Sequence, residues 1–256
     1  MSSHTLSVVR GVAALNFRSL LKAPAKMLPP LLVPLFFFAA FKGALSGVGD
    51  SEGFGYYDFT AFVFVLILFM AAMFVGAFTS FDIVDAYEGG LGRRLMAGAP
   101  RRMAIVFGFM IVDVGRCLLG MALVWGVVLA TGMDVRGGVL DIVALNGMAL
   151  LLNLAIFLYG TGLALRFQSA GAATLVLIPL IILVFLTPIF TPRDQLSGLV
   201  EKAASVNPLT AAVESGRGFM ADDPISVALA FGVCVGLVAL FSVWCVLGMR
   251  KAEQAG

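Results

Sequence analysis

Asp113 and Arg116 stand three residues apart inside an apolar run, and they are the charges in this chain best placed to do chemistry. On a helix that spacing puts both side chains on one face. Ionised groups within a bilayer are expensive unless they pair or face a polar cavity. Two roles therefore stay open: mutual neutralisation, or a proton relay with Lys42 of the kind a secondary transporter uses. Lys42 can also snorkel to the interface or meet an acidic partner, while Asn146 and Asn153 can bridge helices. Hydrolytic chemistry is not supported, because His4 is the only histidine and no HExxH, paired-aspartate or GxSxG pattern occurs. No GxxxxGKS/T phosphate loop occurs either, so the chain is not expected to hydrolyse ATP, and no cofactor or metal is expected in it. Cys117, Cys234 and Cys245 lie inside apolar runs without ligand spacing, which indicates neither a disulfide framework nor a zinc site.

The elements that must position these residues are apolar runs at roughly 27–48, 59–84, 104–131, 139–165, 171–190 and 225–248. Most approach the ~20 residues that a helix needs to cross the hydrocarbon of a bilayer. Charged residues are 12% of the chain, about half the ~25% of a soluble domain, and 61% is hydrophobic. The expected fold class is all-α: a polytopic membrane protein with six transmembrane helices in one domain over 1–256. The first run follows a leader of about 26 residues without a small-residue cleavage site, so a signal peptide is not expected.

Basic residues divide unequally between the two sides of this arrangement. One side collects Arg10, Arg18, Lys22, Lys26, Arg93, Arg94, Arg101, Arg102, Arg166, Arg250 and Lys251. The other is acid-rich, with Asp50, Glu52, Asp58, Asp134, Asp194, Glu201, Glu214, Asp222 and Asp223. The positive-inside rule then predicts a multi-pass protein of the cell membrane with both termini cytoplasmic. The slight excess of positive charge is a topology signal and does not support nucleic-acid binding.

Three segments outside the runs carry further information. In the leader, 1–26, Leu6, Val9, Ala13, Phe17, Leu20 and Leu21 recur at helical spacing opposite Ser7, Arg10, Arg18 and Lys22, as in an amphipathic interfacial helix. The loop 85–102 contains Glu88, Leu91, Arg93, Arg94 and Leu95, with Leu91 and Leu95 one turn apart; it suits a short docking helix or a simple topology signal. The segment 187–224 holds Pro192, Asn207, Pro208, Leu209, Thr210 and Val213. Its spacing predicts two short helices, either re-entrant as a lid over an exit or lying on the surface.

In order and spacing these segments resemble the membrane subunit of an ATP-binding-cassette transporter of the type-2 exporter family, similar to daunorubicin-type drug efflux permeases. The resemblance rests on Arg18, Leu20, Leu21, Lys22, Pro24 and Pro34; on Glu88, Gly90, Leu91, Leu95, Ala99 and Pro100; and on Phe185, Leu186, Phe190 and Pro192 followed by Asn207, Pro208, Leu209, Thr210, Glu214 and Arg217. Gly89 and the Thr187-Pro188 pair depart from the family pattern. The resemblance implies a connecting helix, a coupling helix carrying Glu88, Leu91, Arg93, Arg94 and Leu95, and an outer gate of re-entrant helices before the last span. It also implies a separate ATPase subunit that binds ATP and Mg, and a second permease chain, identical or related. The implied activity is ATP-driven export or flipping of a hydrophobic or amphipathic small molecule or lipid. The alternative is an ion-coupled secondary transporter using Asp113, Arg116 and Lys42. The GxxxG pairs Gly43/Gly47 and Gly232/Gly236 can serve close packing either between two chains or within one.

Overall fold

The computed structural model describes residues 3–22, 24–49, 54–90, 103–169, 171–188 and 198–254. Every regular element among them is helical. In chain order they are α1 (Ser3–Lys22), a 3-10 turn (Pro24–Met27), α2 (Leu28–Gly49), α3 (Phe59–Glu88), α4 (Met103–Ala130), α5 (Val139–Phe167), α6 (Gly171–Phe185), α7 (Gly198–Val206), α8 (Pro208–Ala221) and α9 (Val227–Gln254).

Apolar composition all round a helix predicts that it is buried on every side, and α3 is such a helix. From Ala61 to Ala77 nearly every side chain is inaccessible, and α3 packs against α2, α4, α5, α6 and α8. Asp58 starts it by accepting the Thr60 amide at 2.8 Å, which satisfies an amide at the helix start. The remaining long helices are two-faced. On α4, Phe109, Cys117, Val124 and Val128 turn inward, while Ile111, Leu118, Leu123 and Leu129 are exposed and equally apolar. A soluble protein does not expose such a face over a whole helix; a bilayer covers it.

Five helices among the described residues are long and apolar enough to span a membrane: Ala25–Ala44, Phe59–Ala86, Met103–Ala130, Val139–Phe167 and Val227–Ala252. The fifth run expected from sequence folds differently. Its helix, α6, has 15 residues and contains Pro179. At 1.5 Å per residue that is about 22 Å, short of the ~30 Å hydrocarbon thickness. The chain leaves the helix at Leu186–Pro188, and the α7–α8 segment completes this part of the bundle.

The amphipathic leader is also present as α1, and it lies along α4. Val9, Val12 and Leu20 are buried, whereas Leu6, Leu15 and Phe17 are exposed beside the polar Arg10, Arg18 and Lys22. The helix thus divides its apolar residues between the bundle and the lipid interface.

The GxxxG pairs make no close helix contact among the described residues: a methyl group added at Gly43, Gly47, Gly232 or Gly236 would meet nothing there within 4 Å. Close helix approach occurs elsewhere. A Cβ on Gly76 of α3 would stand 2.5 Å from the Asn153 carbonyl of α5, and one on Gly248 of α9 would stand 2.7 Å from the Gly162 carbonyl of α5. The Arg166 guanidinium adds to the α5–α9 seam by lying 3.5 Å from the Trp244 ring centre.

Candidate functional site at the acidic end

Helix α8 runs from the interior of the bundle to the acidic end. Pro208 and Leu209 border an apolar cavity of about 260 Å³ with Met73, Leu152 and Ile156. Met73 lies 14 residues along α3 from Phe59, or about 21 Å, which is mid-bilayer depth. The opposite end of α8 meets the α2–α3 and α4–α5 loops. Leu209, Thr210, Ala212, Val213, Ser215, Phe219 and Met220 are all buried. This burial favours the re-entrant reading over a helix resting on the surface.

A backbone break at membrane depth must be satisfied by protein, because lipid offers no hydrogen bonds. Asn207 does this for two helices at once. Its Oδ1 accepts the Leu209 amide at 3.0 Å and caps α8. Its Nδ2 donates to the Leu183 carbonyl of α6 at 2.8 Å and to Thr187 Oγ1 at 3.1 Å. Asn207→Ala is expected to lower stability by about 2 kcal/mol, since it removes a cap and strips a buried carbonyl of a donor. The midpoint of denaturation in mixed micelles measures this, and an unchanged midpoint would refute the joint.

Apart from Arg217, the other end of α8 is held by residues that the sequence did not single out. The Met220 carbonyl accepts the amides of Arg136 and Gly137, both at 3.2 Å, and the Tyr57 hydroxyl at 2.8 Å. The Tyr56 hydroxyl donates to the Arg217 carbonyl at 2.7 Å. Gly137 is required by proximity, since a Cβ there would fall 2.0 Å from the Phe219 carbonyl oxygen. The Arg217 side chain is buried, lies 3.3 Å from the centre of the Phe62 ring and donates from Nε to the Phe62 carbonyl at 3.1 Å. The available signal was the adjacent tyrosines just before a span, where amphipathic rings gather at an interface.

Between these groups lies a cleft of about 760 Å³, lined by Tyr56, Tyr57, Phe62, Arg136, Glu201, Glu214, Arg217 and Asp223 among others. Its size is that of a small-molecule site, and it opens at the acidic end above the buried face of α8. Burial pushes the Tyr57 phenol up to about 12 and the Tyr56 phenol up as well. A phenol raised in the folded state stabilises the fold fully below its unfolded value of about 10 and loses that contribution as pH rises through the folded value. The docking of α8 is therefore expected to weaken between pH 10 and 12, followed as tyrosinate absorbance against unfolding midpoint. Tyr57→Phe should flatten that dependence.

The intramembrane charges do not pair as their spacing suggests. Arg116 Nη1 donates to Asp82 Oδ2 at 2.6 Å and to Thr79 Oγ1 at 3.3 Å, both on α3. Asp113 instead accepts Asn153 Nδ2 from α5 at 2.6 Å. The correction has a simple cause: α3 offers a carboxylate of its own, and the long guanidinium reaches across the helix seam to it. Among the described residues the partners of Asp82 are Arg116 and Lys26. Lys42 donates to the Thr131 carbonyl at the end of α4, at 2.8 Å. Thr79 lies between Asp113 and Arg116 as a hydrogen-bond partner of both, whereas Lys42 has its own partner at Thr131. Asn146 does bridge helices, accepting Trp125 Nε1 at 3.1 Å.

Of the residues expected to couple to an ATPase, Glu88 is the last residue of α3. Leu91, Arg93, Arg94 and Leu95 lie outside the described residues, as does Pro192.

Among the described residues, a helical bundle with a buried central helix and five spanning candidates defines a polytopic membrane protein. The family model of the ABC-2 type transporter matches residues 9–221. The chain belongs to that family and is the membrane component of an ABC transporter, not itself the ATPase. No curated protein matches it significantly.

Proposed function

We propose that this chain is the permease subunit of an ATP-driven exporter or flippase. A separate ATPase subunit binds ATP and Mg, and a second permease chain, identical or related, completes the pathway in the cell membrane with the termini cytoplasmic. The cargo is a hydrophobic or amphipathic small molecule or a lipid, in keeping with the scarcity of intramembrane charge. One observation carries the reading: α3 is an unbroken rod joining the two ends of the machine. It starts one residue after Tyr57 and Asp58 and ends at Glu88, beside the coupling loop. Thirty residues make it about 45 Å long.

Pressure on Leu91–Leu95 from a closing ATPase would displace the basic end of α3, and the rod would deliver that shift to the tyrosines that dock α8. Releasing Met220 and Arg217 from Tyr57 and Tyr56 frees the lid at its outer end, while the Asn207 joint keeps its inner end as a pivot. This is hinge motion about an element end.

Leu91→Asp/Leu95→Asp is expected to reduce ATP-dependent transport about tenfold, equivalent to ~1.4 kcal/mol of coupling. Copurification and efflux from vesicles with the ATPase subunit measure it. Normal transport in that variant contradicts the docking role, and transport by the wild-type chain without any ATPase contradicts the whole proposal.

A further inference from the structure

Beneath the interfacial helix, at the basic end, a cavity of about 200 Å³ opens between α1, α3 and α4. Asn16, Ser19, Lys26, Asp82, Asp85 and Arg116 contribute its polar lining, with the Asn16 amide already donating to the Val12 carbonyl. Asp82 lies about 35 Å along α3 from Phe59, which places it at the far edge of a ~30 Å hydrocarbon layer. The cavity is thus at the level of lipid headgroups.

The charges are arranged asymmetrically within it. Asp82 gives one oxygen to each cation, Oδ1 to Lys26 at 3.3 Å and Oδ2 to Arg116 at 2.6 Å. One carboxylate therefore answers two positive charges, and a net positive centre remains. The Arg116 side chain is nine-tenths buried and its Nε has no hydrogen-bond partner. A buried guanidinium N–H without an acceptor is an uncompensated donor. Asp85 supplies the opposite charge: it is exposed and makes no ion pair among the described residues.

We propose that this cavity seats the headgroup of a phospholipid carrying both a phosphodiester and a primary ammonium, taken from the leaflet at the basic end. The phosphodiester accepts from Lys26 and from the Ser19 hydroxyl beside the Arg116 guanidinium, and the ammonium donates to Asp85. A purely anionic headgroup would bring no positive charge to Asp85. A quaternary ammonium would reach Asp85 with no N–H to give. The inference needs only that the bundle sits in a bilayer, so it stands apart from the ATP-driven reading.

The test uses the full-length protein in detergent, offered phosphatidylethanolamine, phosphatidylcholine or phosphatidylglycerol with the same acyl chains. Lipid retained after gel filtration is counted by native mass spectrometry. Phosphatidylethanolamine should be retained roughly tenfold over the other two, the worth of one charge-assisted hydrogen bond. Asp85→Asn should abolish its advantage over phosphatidylcholine. Lys26→Gln should lower retention of phosphatidylethanolamine and phosphatidylglycerol alike. Both residues are exposed, so neither change threatens the fold, and Asp134→Asn at the opposite end should alter nothing. Equal retention of the three lipids, strongest retention of phosphatidylglycerol, or a preference that survives both substitutions would overturn the proposal.

Discussion

Asp82→Ala is expected to destabilise the protein by about 3 kcal/mol, the usual consequence of removing one member of a buried ion pair. Arg116 begins midway along α4 and reaches Asp82 at 2.6 Å, with side chains 10% and 17% exposed. Once the carboxylate is gone, Thr79 Oγ1 at 3.3 Å remains as its one described acceptor. A hydroxyl cannot neutralise a guanidinium, so the charge is stranded in a medium of low dielectric. Lys26 loses the same partner, yet it is 46% exposed and such a pair contributes little. The variant Asp82→Ala/Arg116→Met should recover most of the loss, because it removes the stranded charge along with its partner. Unfolding midpoints in detergent for the two single variants and the double variant test this. A single variant as stable as the parent, or a double variant that loses the sum of both, would show that the pair is not coupled.

Gly76→Val is expected to be at least as damaging, lowering stability by about 3 kcal/mol or preventing assembly of the bundle, at the upper end of overpacking effects. Even a single Cβ at this position would stand 2.5 Å from the Asn153 carbonyl and 3.0 Å from the Phe157 amide. These are backbone atoms of α5, and they cannot rotate away as a side chain can. Helix α3 would have to withdraw from α5. Without a hydrophobic force between helices in lipid, such close van der Waals seams are a main source of association. Gly232→Ala is the matched control, since open space surrounds that position in the chain. Denaturation midpoints and expression in the membrane fraction separate the two; equal behaviour would mean that the α3–α5 seam does not hold the bundle.

The same contrast shows what local pattern can and cannot report. GxxxG announces small residues at helical spacing, and both such pairs prove open inside the chain. Gly76, in no such motif, is where two backbones meet. Likewise the three-residue spacing of Asp113 and Arg116 fixes only that they share a face of α4, not that they share a proton or a charge. Their partners come from α5 and α3, about 40 and 34 residues away in sequence. The latch on α8 was hidden for a similar reason: Tyr56, Tyr57, Arg136 and Gly137 belong to two loops whose meeting depends on how the helices pack. Asn207 was visible, because an Asn-Pro step before apolar residues announces a capped helix start. Its second task, holding the end of α6, was not.

What the sequence alone determined was the set of helices: the long apolar runs, the amphipathic leader and the short segment before the last span all follow from hydrophobic length and period. Each is set by neighbours in the chain, because a backbone in lipid must close its hydrogen bonds within the helix itself. Tertiary structure decided which charge meets which, where two helices touch backbone to backbone, and that the helix of the fifth apolar run has 15 residues. Those outcomes depend on side chains that reach across helix seams, and distance along the chain carries no record of them.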